Sequence, residues 1–230
     1  MAKPTKKNIT ELQKKLLTWF DLNGRTFPWR RKKLTNYQIV IAETLLQRTK
    51  AETVAGFYLK FINEFPTWKS LADSELSILE KCLIPIGLYR QRAGRLKHLA
   101  QEMVRRNNRL PKDRAELESI PFLGQYIVNA IELIIFKQPS PLVDVNMARL
   151  LERYFGGRMM ADIRYDPYLQ KLATDVVTNK KSKELNWAIL DFAALVCKAR
   201  KPLCAKCILA KKCNFLESGS FQNLKNEHYP

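Results

Sequence analysis

Apolar residues in this chain recur at helical intervals and scarcely ever at strand intervals. Val54, Phe57, Tyr58, Phe61, Ile62 and Phe65 fall at i, i+3, i+4, i+7, i+8 and i+11, one stripe of an α-helix, and the run stops at Pro66. Met147, Leu150, Leu151, Tyr154 and Phe155 repeat the pattern and stop at Gly156-Gly157. Leu185, Ile189, Phe192 and Val196 mark another helix, and Leu12, Leu16, Trp19 and Phe20 mark a first that ends near Asn23-Gly24. Pro111 and Pro121 divide the remainder. The expected fold class is all-α, with about ten helices and short connections.

Charge narrows the partner. Forty Lys and Arg stand against 22 Asp and Glu, a net +18, and the excess is spread through the chain rather than gathered in a tail. Such a surface suits a polyanion, because phosphate contacts and counterion release supply most non-specific nucleic-acid affinity. An anionic membrane or a plain solubility surface is the blander explanation. No apolar run approaches the roughly 18 residues that span a bilayer, and MAKPTKKNITELQKK has no apolar block after its lysines, so neither a membrane span nor a secretory signal is expected. An intracellular chain keeps its five cysteines reduced or metal-bound.

Four of those cysteines, Cys197, Cys204, Cys207 and Cys213, lie within CKARKPLCAKCILAKKC at C-x6-C-x2-C-x5-C spacing. That density implies a metal site, and spacing alone leaves zinc and an iron–sulfur cluster equally open. The intervening KARKPL and ILAKK carry five Lys/Arg, which a metal-fixed loop is expected to turn outward. Cys82, in LEKCLI, reads as a core residue, and His98 and His228 offer no ligand motif. Two carboxylates stand in apolar settings: Glu43 within YQIVIAETLL, and Asp144 between SPLV and VNMARLL. A buried charge is costly unless partnered or functional. A salt bridge explains Glu43 without chemistry, and an N-cap explains Asp144, although a cap fixes a carboxylate's direction in a way that also suits catalysis.

Four blocks in this order resemble the helix-hairpin-helix DNA glycosylases of the endonuclease III and MutY superfamily. FPWR with NYQIVIAETLLQRT resembles the MutY-type entry motif, and IPFLGQY resembles the hairpin. LVDVNMARLLERYF, with Asp144 twenty residues after Gly124, resembles the catalytic-aspartate segment, and the cysteine spacing is that of the family's [4Fe–4S] loop. The resemblance implies two helical lobes with a DNA cleft between them. Residues 1–29 and 136–230 form the terminal-helix and cluster lobe, and residues 30–135 form a six-helix barrel-like lobe whose hairpin spans about 114–136. Family hairpins read L-P-G-V-G; here Phe122 replaces the first glycine and Gly124 remains.

The resemblance also implies roles. A glycosylase flips a nucleotide from the stack and breaks its base–sugar bond through an oxocarbenium-like transition state. Asp144 is the carboxylate that stabilises that charge, and Glu43 is the one that protonates the departing base or its bound water. Gln47 and Arg48 fill the gap left in the duplex. Thr49, Arg30, Phe122, Gly124 and Gln125 belong to the DNA-binding surface, with the hairpin turn offering backbone N–H groups to a phosphate. Tyr126 takes the place of endonuclease III's Schiff-base lysine and MutY's usual serine. A phenol with a pKa of about 10 forms no imine, so the chain is expected to remove a base without cutting the strand. A tyrosine here, and the stretch GLYRQRAGRLKHLA, resemble the MIG-type thymine glycosylases that act on T·G mismatches. The seventeen residues after Cys213 are too few for MutY's 8-oxoguanine-reading domain.

These readings give a monomeric, cytoplasmic, nucleoid-associated enzyme that releases thymine or uracil opposite guanine from double-stranded DNA. Its four cysteines hold a structural [4Fe–4S] cluster. The rivals are adenine release from A·G or A·8-oxoguanine, a non-catalytic DNA-binding iron–sulfur protein, and a zinc-stapled RNA-binding domain.

Overall fold

The computed structural model of the chain describes residues 4–219; His228 lies outside them. Among the described residues there is no strand, and twelve α-helices follow one another with short 3-10 turns between. The count exceeds the expected ten because several of the helices are short. α4 (Trp68–Asp73), α7 (Arg114–Glu118), α8 (Gln125–Ala130) and α12 (Asn214–Glu217) have one or two turns each, too few residues to show a period. No described helix is long and apolar enough to cross a membrane.

The chain divides into two compact units. One takes the residues up to Arg25 together with those from Lys137 onward, and the other is Thr26–Phe136. In the first unit α1 (Lys6–Asn23) packs on α11 (Ser182–Leu195), and α9 (Val145–Phe155) packs on α11 and on α10 (Pro167–Val177). Its interior holds Leu12, Leu16, Met147, Leu150, Leu151, Ile189 and Phe192, each no more than about 1% exposed. Thr5 caps the start of α1 by accepting from the Asn8 amide. At its end a Cβ on Gly24 would lie 2.7 Å from the Phe20 ring, so only glycine fits. The next residue, Arg25, binds the fully buried Asp191 carboxylate through its amide at 2.8 Å and its Nε at 2.8 Å, fixing where the chain leaves the unit.

The second unit has one core, with Val40, Ile41, Tyr58, Phe61, Leu96 and Ile127 at its centre. α2 (Asn36–Leu46) starts at a Thr35–Gln38 capping box and α3 (Ala51–Glu64) ends before Pro66. α4 and α5 (Leu76–Leu83) both pack on α6 (Tyr89–Arg105). Cys82 is half-buried on α5 against this core rather than fully inside it. The hairpin pair α7 and α8 is tied by Arg114, which donates to Glu132 at 2.8 Å and to Asn129 at 3.0 Å. α8 runs straight into a π-helical turn, Ile131–Ile135, which carries Glu132.

Candidate active site

Glu43 sits on the inward face of α2, 5% exposed, among the core residues of its unit. Burial pushes its carboxyl from 4.5 up to about 7, against two opposing influences: the nearby Arg30 guanidinium, and a hydrogen bond donated by the Tyr126 hydroxyl. Oε2 is buried and makes no hydrogen bond among the described residues. An acid held near neutrality with one oxygen unmatched is a poor structural element and a good proton donor, since that oxygen gains its partner only when something enters. Tyr126 lies at the second position of α8, and Arg30 stacks its guanidinium over Phe27 with 5.0 Å to the ring centroid. Residues 13 and 83 positions from Glu43 in the chain thus meet at one carboxyl. Arg30, expected on the DNA surface, is half-buried beside that acid.

Gln47, Arg48 and Thr49 form the turn after α2, with the Gln47 and Arg48 side chains exposed. Arg48 has φ 57, a left-handed backbone that costs a non-glycine residue about 1–2 kcal/mol. Arg92, from α6, holds the turn in place. Its NH1 donates to the Leu45 carbonyl at 3.2 Å, and its NH2 donates to the Gln47 carbonyl at 2.7 Å and the Thr49 hydroxyl at 2.6 Å. Carbonyls at the end of a helix lack internal partners, so the half-buried guanidinium satisfies two of them at once. Sequence reading passes over Arg92 because its partners lie 43 to 47 positions away, beyond any local spacing.

The hairpin turn places its two unusual residues in opposite settings. Gly124 has an ordinary φ of −72, and a Cβ there would meet nothing within 4 Å, so no neighbour in the chain demands a glycine. Phe122 has φ 68, where glycine would be comfortable. Gln125 follows Gly124 as the first residue of α8, whose opening turn closes on the Gly124 carbonyl from Ile127 and Val128.

Asp144 belongs to the other unit and is the N-cap of α9, as the structural reading of its position anticipated. Oδ1 accepts from the Asn146 and Met147 amides at 2.9 and 2.8 Å, and Oδ2 accepts from Asn146 Nδ2 at 2.7 Å. Burial pushes its carboxyl upward, and these three bonds together with Arg149 resist the push. Asn146 in turn accepts from Arg149 at 3.0 Å, and Arg149 Nε donates to the Cys197 carbonyl at 2.9 Å. Capping therefore aims the carboxylate, and the aim is tied to the start of the cysteine loop.

That loop leaves α11 through a bond from the Cys197 amide to the Phe192 carbonyl. Arg153, one turn after Arg149 on α9, donates to the carbonyls of Lys198 at 2.7 Å and Ala199 at 3.1 Å and approaches Cys197 Sγ at 3.5 Å. The Cys213 thiol donates to the Arg153 carbonyl at 3.2 Å. All four cysteines are half-buried. Burial pushes the Cys207 thiol up to about 11, and the charges of the other three push it the same way. Burial raises Cys204 and Cys213 as well, and thiols that resist ionising side by side are a donor set suited to a polycationic centre, which removes that resistance. Among the described residues no group of three or more His, Cys, Asp or Glu is placed to hold a metal ion. Lys198, Arg200, Lys201, Lys206 and Lys211 face outward, whereas Lys212 turns back to pair with Glu11.

Comparison with known proteins places the chain among relatives. Residues 41–165 match the family model described as HhH-GPD superfamily base excision DNA repair protein. A thymine/uracil-DNA glycosylase of Methanothermobacter thermautotrophicus is 34% identical over 207 residues, covering 89% of this chain and 93% of its own. One of Pyrobaculum aerophilum is 33% identical over 208 residues, 88% of this chain and 90% of its own. The solved structure of a thermostable thymine-DNA glycosylase superposes with a TM-score of 0.85 at 32% identity, across 92% of this chain and 98% of that one.

Proposed function

The chain belongs to the HhH-GPD superfamily of base excision DNA repair proteins, and from that membership we propose that it is a monofunctional DNA glycosylase releasing thymine or uracil opposite guanine. Its substrate is double-stranded DNA at the nucleoid, and it works as a monomer. The observation that carries the reading is Glu43: an acid buried at about 7, bonded by a phenol and carrying one unmatched oxygen.

In this reading the protonated Glu43 carboxyl meets the flipped base or its bound water and supplies the proton that makes the base a better leaving group. Asp144, held by the cap, stabilises the positive charge growing on the sugar and orients the water that completes hydrolysis. Tyr126 sits where an amine would be needed for strand cleavage. Its hydroxyl instead donates to Glu43, tempering the rise of that acid's pKa. Gln47 and Arg48, exposed on the turn that Arg92 clamps, occupy the gap in the duplex, and Thr49 anchors that clamp. Gly124 and Gln125 open the turn that takes a phosphate, and Arg30 acts on the acid rather than on the strand. Cys197, Cys204, Cys207 and Cys213 hold a [4Fe–4S] cluster. When bound, it supplies charge and cross-linking to the loop.

Single-turnover base release on labelled duplexes bearing T·G, U·G, A·G and A·8-oxoguanine, each split with and without alkali, tests this function. Breaks at T·G and U·G that need alkali are expected. Breaks at the adenine pairs alone would move the substrate to adenine, and breaks without alkali would restore a lyase step.

A further inference from the structure

Phe122 is a large apolar side chain held 40% exposed on a left-handed backbone, at a turn where glycine would relieve both penalties. The neighbouring Leu123, 4% exposed, supplies the buried contact of the turn. Two exposed side chains one turn apart on α6 attend the ring instead. The His98 ring lies 6.2 Å away, centroid to centroid, at 20° to it, and the Arg95 guanidinium carbon stands 5.7 Å from the ring centroid. An exposed aromatic flanked by a guanidinium and an imidazole, beside a glycine that no internal neighbour requires, has the composition of a nucleic-acid contact. Observed backbone strain of this kind points toward a function that maintains it.

We propose that Phe122, Arg95 and His98 form a strand-binding patch. The ring lies against a deoxyribose next to the phosphate that the hairpin turn receives, and Arg95 pairs with the following phosphate. The patch takes duplex DNA of any sequence and supplies contact area where the turn has one glycine fewer. It rests on the reading of this chain as a DNA-acting protein but requires no base release.

The test is binding of the full-length protein to two labelled duplexes, one fully paired and one carrying a tetrahydrofuran abasic analogue opposite dG, together with thermal melting. Phe122→Gly removes the strain and the ring at once. The expected result is an unchanged or higher melting temperature with binding weakened about tenfold on both duplexes. Arg95→Ala should weaken binding and lower the salt slope by about one. Phe122→Trp should bind as the unmodified chain does. If Phe122→Gly binds with full affinity, or if its affinity and melting temperature fall together, the ring is a packing residue and the patch is wrong. An unmodified chain that binds through this patch yet releases no base would refute the glycosylase reading alone.

Discussion

Glu43 and Asp144 are both carboxylates drawn into low-dielectric surroundings, and the two units solve that problem in opposite ways. Around Asp144 the chain provides three hydrogen-bond donors and a nearby arginine, so burial is met by partners for the charged form. Around Glu43 it provides one phenol and a guanidinium at some remove, leaves Oε2 unmatched, and lets burial win by enough to bring the acid to about 7. Both carboxyls are pushed upward by burial, but the same residue chemistry becomes a carboxyl aimed by its donors in one place and a poised acid with a free oxygen in the other. How many donors each carboxyl is given sets the difference between them.

The sharpest way to break the comparison is Asp144→Asn. Asparagine caps a helix about as well as aspartate, so melting should change little while single-turnover base release falls about 10²- to 10³-fold. A large loss of stability instead would make Asp144 a cap and nothing more. Glu43→Gln should slow release about a hundredfold, and it should also change stability with the opposite sign. Because the folded pKa of Glu43 lies above its unfolded value, the native chain keeps a proton that the unfolded chain gives up between pH 4.5 and about 7. Stability from this group therefore falls as pH rises through that window, and Glu43→Gln should gain up to about 3 kcal/mol over the unmodified chain above pH 7 and nothing below pH 4.5. Denaturant titrations at pH 4.5, 6 and 8 measure the gap. Arg92→Ala frees the turn after α2 and should slow release about tenfold by misplacing Gln47 and Arg48. That penalty should vanish in a Gln47→Ala, Arg48→Ala background, where a general folding defect would persist. Tyr126→Phe removes a bond that lowers Glu43, so the fall in rate with pH should move to higher pH, with the rate at neutrality unchanged or slightly higher.

Much of this was legible along the chain and some was not. Four of the helices, α1, α3, α9 and α11, announce themselves because each has enough turns for an apolar stripe to repeat. Asp144's capping role is likewise local, set by the three residues that follow it. Glu43 could be noticed as a charge in an apolar run, but its state could not, because Arg30 and Tyr126 reach it from other elements. Arg30 was expected on the strand-binding surface for the same reason: nothing local shows a basic residue turning toward a buried acid. Phe122 stands out in sequence as a missing glycine, and only the backbone angle shows that the turn kept the glycine's conformation while taking on a ring.

The most direct measurement is the pH profile of single-turnover uracil release from a U·G duplex, taken for the unmodified chain and for Glu43→Gln between pH 5 and 9. If Glu43 is the poised acid, the unmodified rate falls through an inflection at about 7, and the slower variant shows no such fall. A falling limb that survives unchanged in Glu43→Gln would mean that another group supplies the proton, and the contrast between the two carboxyls would lose its chemical meaning.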